Sequence, residues 1–341
     1  MKILYPAAVV LGALAVLAPV IAAGNKIPAP EQVSEPPAVT ESVQQTPAPA
    51  EYAPSLDGER TVMLLLSGDV REMPLDRYLE GVLAAEMPAS FEQSALEAQC
   101  IAARTYAVSR ASSGVHDGGV CADPGCCEAY VGDAELHAKW GEDYDANIAR
   151  IRAAVAATDS LILTYGGEPI FAAFHSSSSG CTEDCASVWG SELPYLVSVD
   201  TPESPENVPQ LVQERSVPAA EFRNTVLAAL PGAVFVAGPD GWLTEAEYTP
   251  SGRLASVRVG TVRVTGTELR SLFALRSTKV TWSVSDEGVT FFTEGYGHGV
   301  GMSQYGANIL AREGADAAEI LAHYYPGTVL EKSVENVGVP M

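Results

Sequence analysis

Basic residues are scarce in this chain of 341 residues. Its 20 lysines and arginines stand against 43 aspartates and glutamates, which gives a formal net charge of −23 at pH 7. Binding to nucleic acid, and adhesion to an anionic lipid surface, both need clustered lysine and arginine side chains. The composition therefore argues against nucleic acid as a partner and against electrostatic adhesion to acidic lipid.

Several catalytic signatures are also missing. The chain has no Gly-x-Ser-x-Gly elbow of a serine hydrolase. The alternating glycines at 295–301 do not have the spacing of a dinucleotide fingerprint, and the acid expected after one is missing. No internal repeat is visible, and 47% hydrophobic residues in a chain of this length suffice for one large domain or two modest ones.

Charge is absent from the beginning of the chain. From Ile3 to Ala23 no charged residue occurs, and a helix that spans a bilayer needs about 20 apolar residues. We predict a transmembrane anchor over residues 1–26 with its N-terminus inside; a signal peptide cleaved after Ala23 is the alternative. Residues 27–58 are rich in proline, alanine and glutamate without aliphatic periodicity, which predicts an extended spacer.

Helix and strand patterns fill the chain from residue 59 to residue 335. They come in blocks without a regular alternation of strand and helix, so the predicted fold class is α+β. Residues 200–285 carry weaker patterns of one helix and several strands, and we interpret them as a smaller subregion within this domain.

Glu86 ends the first helical pattern of the domain. Pro88 disfavours helical angles at the residue before it, so the helix should stop at about Glu86. A carboxylate there meets the negative pole of the helix dipole among apolar neighbours, and both effects should raise its pKa. We interpret Glu86 as a general acid at the mouth of a cleft, with Gln99 or Arg104 of the next helix near it. A solvated glutamate at a helix end is the alternative.

Three runs resemble the stage II sporulation protein D family, in the same order. They are YLEGVLAAEMPASFEQSALEAQCIAARTYA at 78–107, HSSSSGCTEDCASVWG with PYLVSV at 175–199, and GYGHGVGMSQYGA with ILAHYYPGT at 295–328. Members of that family are lytic transglycosylases that cut peptidoglycan glycan strands stripped of peptides. The resemblance implies that Glu86 is the catalytic acid and that the C6 hydroxyl of muramic acid is the nucleophile, giving 1,6-anhydro ends. No second acid stands out in these runs, which suits a reaction with one carboxyl.

A short loop concentrates metal ligands. His116, Cys121, Cys126 and Cys127 are soft ligands of the kind that bind zinc tetrahedrally. In the family one histidine and two cysteines hold a zinc, and the second cysteine precedes a Gln-Ala-Tyr-like element. The resemblance therefore implies one structural zinc on His116, Cys121 and Cys127, with Cys126 surplus.

The other cysteines leave alternatives open. Cys100 falls on the apolar stripe of a helix and is interpreted as a core residue. Disulfides among the loop cysteines, or with Cys181 and Cys185, compete with the zinc hypothesis in an exported protein. One of the latter two cysteines could also supply the fourth zinc ligand.

Two polar loops hold the remaining candidate residues. The resemblance implies substrate binding by His175, Ser176 and Ser178 of the serine-rich loop. The glycine-dense loop presents His298, Ser303 and Gln304, and we interpret it as the far wall of a glycan cleft. Loops that merely shape the fold are the alternative for both.

Partners and location also follow only from the resemblance. It implies work during engulfment of the forespore, beside a peptidoglycan amidase and a membrane scaffold, with the catalytic domain between mother cell and forespore. A zinc amidase or endopeptidase that cuts wall peptides, and a non-catalytic wall-binding protein, are the competing functional hypotheses.

Overall fold

The computed structural model describes residues 55–236 and 238–333. The predicted anchor, and all of the predicted spacer before Ser55, lie outside these residues. No helix of the described part is both long and apolar enough to cross a bilayer.

The described residues form helices and strands, numbered here in chain order. The helices are α1 Leu56–Glu59, α2 Leu75–Glu86, α3 Gln93–Ser112, α4 Asp133–Trp140, α5 Tyr144–Ala157, α6 Cys185–Trp189, α7 Ala219–Ala229, α8 Gly266–Leu272, α9 Gln304–Arg312 and α10 Ala317–Tyr324. The strands are β1 Thr61–Leu66, β2 Asp69–Pro74, β3 Val120–Cys121, β4 Leu161–Tyr165, β5 Glu168–Pro169, β6 Phe174–His175, β7 Val212–Pro218, β8 Leu243–Tyr248, β9 Leu254–Val259, β10 Val262–Thr265, β11 Val280–Ser285, β12 Gly288–Glu294, β13 Met302–Ser303 and β14 Val329–Lys332.

The strands join into small sheets with strand orders β2-β1-β3, β10-β9-β8, β11-β12-β7, β13-β6 and β14-β4-β5. The pairs are mostly antiparallel, but β13 runs parallel to β6 with Ser303 opposite His175. Helices and strands are mixed without a repeated βαβ unit, so the α+β expectation is confirmed.

Helix α3 is the centre of the main hydrophobic core. It contacts α2, α5, α9, α10 and β4, and residues on every side of it are buried between Ala95 and Val108. Its sequence is rich in alanine, whose small side chain lets neighbours pack closely all around, and a helix apolar on all faces belongs in an interior. Helices α2 and α9 are thereby both packed against one buried helix.

A second core lies in the predicted subregion. It gathers buried apolar residues between Val217 and Phe291, and Phe222 is stacked on Trp242 and Phe273 with ring centroids 5.3 and 4.9 Å apart. Aromatic stacking adds to the area these rings bury. This part of the chain therefore has a core of its own, which extends past the predicted limit at residue 285.

The fold begins earlier than the sequence indicated. Helix α1 lies inside the stretch interpreted as spacer, and its Asp57 is only 1% exposed. Both carboxylate oxygens of Asp159 accept backbone N–H groups at the start of α1. The predicted spacer, 27–58, therefore ends too late, because α1 already belongs to the folded domain. The proline-rich composition of this stretch gives no sign that Asp57 is buried.

Arg104 is fully buried, and its side chain binds Asp57 and Leu161 rather than Glu86. Its Nε and Nη2 are 2.9 and 2.7 Å from Oδ2 of Asp57, and Nη1 donates to the carbonyl of Leu161. Arg104 thus ties α1 and β4 to α3, and it has no free donor for a substrate. Arg104 lies off the apolar stripe of α3 because it forms an ion pair with Asp57 inside the protein.

We expect Arg104→Met to lower the free energy of unfolding by about 3–5 kcal/mol, because it leaves the Asp57 carboxylate buried without its partner. Urea unfolding measures this. The double variant Asp57→Asn with Arg104→Met should recover part of the loss, since no uncompensated charge stays inside. Equal stability of Arg104→Met and the wild type would contradict this account of the pair.

Candidate active site and metal cluster

Glu86 is the last residue of α2, where the sequence placed it. Its carboxyl is half-buried and accepts two hydrogen bonds from distant parts of the chain. The backbone N–H of Ala129 donates to Oε1 at 3.1 Å, and Nε2 of Gln304 donates to Oε2 at 3.2 Å. The carboxyl therefore lies where the end of α2, the cysteine loop and the start of α9 meet.

Burial raises the pKa of Glu86 above 4.5, the ordinary value, although the bonds from Ala129 and Gln304 act in the opposite direction. The predicted rise is confirmed in direction, and its main cause is loss of water around the carboxylate. Glu86 thus keeps its proton to higher pH than a solvated glutamate, as a general acid must.

A second carboxyl lies close by, and sequence reasoning missed it. Glu128 is 1% exposed, its Oε2 accepts the hydroxyl of Tyr78 at 3.0 Å, and burial, then the charge of Glu86, raise its pKa well above the usual range. The available signal was its place at the first position of the Gln-Ala-Tyr-like element. Because Glu128 is enclosed while Glu86 is only half-buried, Glu86 is the acid that a substrate can reach.

The metal ligands of the cysteine loop form a cluster. The ligand atoms of His116, Cys121, Cys126 and Cys127 all lie within 4.8 Å of one another, and Nε2 of His116 is 3.2 Å from Sγ of Cys126. All six cysteines of the chain lie in the described residues and none forms a disulfide. Cys126, which the sequence left as surplus, therefore belongs to the same cluster as the three implied ligands.

The cluster also supports the acid. Ala129, whose N–H binds Glu86, follows Cys127 by two residues. On the other side, the hydroxyl of Tyr106 and the guanidinium of Arg110 donate to the carbonyl of Cys126 at 3.2 and 3.0 Å. An interaction that fixes this loop, such as a bound metal ion, consequently also fixes the backbone N–H of Ala129, one of the two donors to the Glu86 carboxyl.

His175 and Ser178 are inside the protein. Since a carbonyl only accepts, Nδ1 of His175 donates to Val300 O at 3.2 Å, and Nε2 accepts from the Ser178 hydroxyl at 2.6 Å. Burial holds the pKa of His175 well below its usual range, so the ring is neutral. Both side chains bond to protein atoms and shape the serine-rich loop. The implied contact with a substrate stays a prediction.

The remaining candidates fall into different surroundings. Gln304 is brought onto Glu86, whereas Ser303 is buried and donates to Oε1 of Glu203 at 2.6 Å. Ser176 is half-buried, and its carbonyl accepts the N–H of Tyr305. Gln99 is fully buried in α3, and neither polar atom of its amide has a partner among the described residues.

His298 is a half-buried residue of the glycine loop. Its ring centroid is 5.0 Å from that of Trp189 and 5.7 Å from that of His175. Burial, with the charge of Arg270 next, lowers the pKa of His298 to about 4. A neutral imidazole and the indole of Trp189, 44% exposed, therefore form an aromatic surface there.

The fold and the site together define an α+β protein with one accessible acid of raised pKa, held between a histidine-cysteine cluster and a glycine loop. Comparison with known proteins agrees with the resemblance. The family model described as stage II sporulation protein matches residues 67–165. The chain is 36% identical over 268 residues to stage II sporulation protein D of Bacillus subtilis (strain 168), covering 77% of this chain and 76% of that protein.

Two further relatives extend the comparison. Stage II sporulation protein D of Bacillus amyloliquefaciens is also 36% identical over 268 residues, covering 77% of this chain and 76% of its own. A protein named amidase enhancer, of Bacillus subtilis (strain 168), is 28% identical over 299 residues, covering 74% of this chain and 40% of its own. The chain belongs to the stage II sporulation protein D family.

Proposed function

We propose that the protein is a lytic transglycosylase that cleaves the β-1,4 bond between N-acetylmuramic acid and N-acetylglucosamine in peptidoglycan strands stripped of peptides. The observation that carries the proposal is the Glu86 carboxyl: half-buried, raised in pKa by burial, and placed at the end of α2 in the run that matches the family. A general acid needs a pKa close to the working pH and room for the substrate beside it.

The reaction runs through one carboxyl. Glu86 gives its proton to the glycosidic oxygen while the bond from C1 of muramic acid to that oxygen breaks. The C6 hydroxyl of the same sugar attacks C1, and its proton passes to the Glu86 carboxylate, which regenerates the acid. The N–H groups of Ala129 and Gln304 stabilise the carboxylate in between, because both donate to its oxygens.

The pH dependence has a defined sign. Because protonated Glu86 is the active acid, we expect kcat/KM to fall as pH rises through its pKa. Since burial raises that pKa, the fall should begin at a higher pH than it would with a solvated glutamate as the acid. Gln304→Leu removes a hydrogen bond that favours the carboxylate, so the pKa should rise further. A pH profile of strand cleavage should then show the falling limb of Gln304→Leu at higher pH than that of the wild type. A shift to lower pH would contradict the assignment.

The cysteine loop fits a zinc ion. In a tetrahedral zinc site with bonds of about 2.0–2.3 Å, the ligand atoms lie about 3.5–3.8 Å apart. The four ligand atoms here lie within 4.8 Å of one another, so shifts of about 1 Å or less bring them to that geometry. His116, Cys121 and Cys127 would hold the ion, with Cys126 as fourth ligand. Its chemistry would be structural, a crosslink of the loop, because four protein ligands leave no open position for a substrate.

That ligand set also weighs against the amidase hypothesis. Catalytic zinc keeps a position for water among mainly histidine and carboxylate ligands, whereas clusters rich in cysteine are usually structural. The test incubates the purified full chain in detergent with denuded glycan strands and, in parallel, with intact wall, followed by mass analysis of the products. Anhydro-muramic ends support the proposal. Free peptides from intact wall would indicate an amidase, and binding without products would indicate a wall-binding protein.

The uncharged N-terminal segment and the family of the chain together support a setting for the reaction. We place the protein at the membrane through residues 1–26, acting in engulfment between mother cell and forespore, beside a peptidoglycan amidase and a membrane scaffold. The relative named amidase enhancer supports a role connected with an amidase.

The anchor has its own test. We expect the native protein to sediment with membranes and to retain residues 1–23, since the uncharged segment is long enough to span. Sequencing of the native N-terminus decides the matter: a protein that begins at Gly24 has lost a signal peptide and would contradict the anchor.

A further inference from the structure

A buried glutamate lies in the loop between α6 and β7. Glu203 and its neighbours Thr201 and Pro202 belong to no helix or strand, and glutamates are mostly exposed to solvent. Glu203 is nevertheless only 5% exposed. Burial of a carboxyl is costly unless hydrogen bonds compensate for the lost water, so the partners of this side chain indicate its role.

Three donors surround the Glu203 carboxyl. The backbone N–H of Ser178 and the hydroxyl of Ser303 donate to Oε1 at 2.7 and 2.6 Å, and the hydroxyl of Thr201 donates to Oε2. Burial raises the pKa of Glu203, while these three hydrogen bonds act in the opposite direction. One oxygen of Glu203 therefore joins the serine-rich loop to Ser303, the residue that precedes α9.

Glu203 orients the hydroxyl that caps α9. Ser303 is the N-cap of this helix, and its Oγ accepts the N–H of Gly306 at 3.4 Å. A hydroxyl has one proton, and Ser303 gives it to Glu203, which leaves a lone pair for the helix N–H. A second acceptor for that proton, the carbonyl of Ser176, is 3.5 Å from Oγ, longer than a normal hydroxyl hydrogen bond.

The first turn of α9 packs directly on the Glu203 carboxyl. A Cβ at Gly306 would lie 2.7 Å from Oε2 of Glu203 and 2.7 Å from Oγ1 of Thr201. Glycine at this position is therefore what lets the start of the helix approach the carboxyl so closely. A carboxylate is favourable there, because the N-terminus of a helix is the positive end of its dipole.

Gln304 connects this arrangement to the acid. It is the first residue of α9 and 5% exposed, and its Nε2 donates to Oε2 of Glu86 at 3.2 Å. The position of that amide depends on where α9 begins, and Ser303 fixes the beginning of α9 through its bond to Glu203. Glu86 is thus reached from Glu203 by way of two consecutive residues of the chain.

We propose that Glu203 is a positioning residue for the acid: it holds the first turn of α9 so that Gln304 stays within hydrogen-bond distance of the Glu86 carboxyl. The inference rests on the proposed function, in which Glu86 loses its proton and must be stabilised as a carboxylate until it regains one. Glu203 fulfils this role without touching the substrate.

The sign of the effect separates this role from two others. If Glu203 holds Gln304 in place, loss of Glu203 weakens a hydrogen bond to the Glu86 carboxylate, and the pKa of Glu86 should rise. If Glu203 acted only as a nearby negative charge, its loss would favour the Glu86 carboxylate, and the pKa of Glu86 should fall. If Glu203 only stabilised the fold, the pKa of Glu86 should stay the same.

The test compares two substitutions of Glu203. Glu203→Leu removes both oxygens. In Glu203→Gln the amide oxygen can still accept from Ser178 and Ser303, and the NH₂ group can donate to Oγ1 of Thr201. The glutamine variant therefore keeps the proposed contacts and should rescue what the leucine variant loses.

Glu183→Leu is the matched control. Glu183 is 1% exposed, and its carboxylate accepts from the hydroxyls of Thr249 and Ser251 and from the N–H of Asp184, all of which lie outside α9. The substitution thus removes an equally buried and hydrogen-bonded carboxyl. A loss of stability shared by Glu183→Leu and Glu203→Leu reports the cost of removing such a group and not the position of Gln304.

Carboxyl-carbon NMR of the full chain in detergent measures the pKa of Glu86, whose signal is the one that Glu86→Gln lacks. We expect its titration in Glu203→Leu to move up by about 0.5–1 pH unit, since a hydrogen bond to a charged group is lost. Glu203→Gln and Glu183→Leu should titrate as the wild type does. Glu203→Leu added to Gln304→Leu should cause no further change, because the bond is already absent.

A milder variant serves if Glu203→Leu does not fold. Ser303→Ala removes only the hydroxyl between Glu203 and α9, and it should also raise the pKa of Glu86. In chains that cleave strands, the falling limb of the pH profile should move up with that pKa.

The titration is independent of turnover. An unchanged or lowered pKa of Glu86 in Glu203→Leu, or in Ser303→Ala where only that variant folds, would overturn the positioning role and leave the proposed function intact. Absence of anhydro ends from the wild type would instead overturn the proposed function. A pKa of Glu86 that rises in Glu203→Leu and not in Glu203→Gln would still support the placement of Gln304 by Glu203.

Discussion

Glu86→Gln is expected to reduce cleavage of denuded glycan strands at least about 100-fold, the usual contribution of a general acid. The amide keeps the shape of the side chain but has no proton that it can give to the glycosidic oxygen. Both contacts survive the change: the Ala129 N–H can donate to the new amide oxygen, and the amide of Gln304 can turn so that its oxygen accepts. Cleavage should therefore be lost while strand binding persists.

Stability provides the first control. Burial raises the pKa of Glu86 in the folded protein, so the charged carboxylate weakens the fold as pH rises above the unfolded value, and a neutral amide does not. Glu86→Gln should consequently unfold at the same urea concentration as the wild type near pH 7, or at a higher one. A large loss of stability would mean that reduced cleavage reports misfolding.

Glu128→Gln is the second control, because Glu128 is the other carboxyl near the site. It restores the glutamine of the Gln-Ala-Tyr-like element, and the hydroxyl of Tyr78 can still donate to the amide oxygen. Since Glu128 is enclosed, we expect this variant to keep most of its cleavage rate. Release of anhydro ends at the wild-type rate by Glu86→Gln, with a loss in Glu128→Gln, would transfer the acid to Glu128.

The contrast between Glu86 and Arg104 shows what could be predicted from the sequence. Glu86 lies where a local rule, the proline two residues on, ends the helix, and the structure agrees. The burial of Arg104 depends instead on its ion pair with Asp57, which lies 47 residues earlier, in a stretch with the composition of a spacer. The helical periodicity of α3 cannot show a partner so far away in the chain. An arginine in a buried ion pair and an arginine that binds a substrate therefore look the same in the sequence.

The burial of the polar loops could not be predicted for a related reason. His175, Ser178 and Ser303 have residue types that suit sugar binding, but burial depends on β6 pairing with β13 and on Arg253 arriving from the subregion. Those contacts join segments that are far apart in the chain. In contrast, the ligands of the cysteine loop are close in sequence, so the clustering of His116, Cys121 and Cys127 could be predicted. Only the place of Cys126 in the cluster was missed.

The metal proposal predicts that the purified chain carries about one zinc and that Cys127→Ser loses it. Structural zinc in small peptides contributes an apparent free energy of about 10–16 kcal/mol, which is as large as the whole stability of a typical domain, about 5–15 kcal/mol. We therefore expect Cys127→Ser, or His116→Ala, to unfold the loop and to lower the urea midpoint strongly. Metal analysis and urea unfolding are the measurements, with Cys185→Ser as the control for loss of a buried thiol elsewhere.

Cobalt substitution resolves the role of Cys126, because the thiolate-to-metal absorption grows with the number of bound thiolates. The cluster predicts three thiolates in the wild type and two in Cys126→Ser, with weaker but measurable metal binding. Cleavage should fall with metal loss, since Ala129 follows Cys127 by two residues and donates to Glu86. A metal-free wild type with a disulfide between two of the loop cysteines would contradict the zinc proposal, and an unchanged cobalt spectrum in Cys126→Ser would return that cysteine to the surplus role.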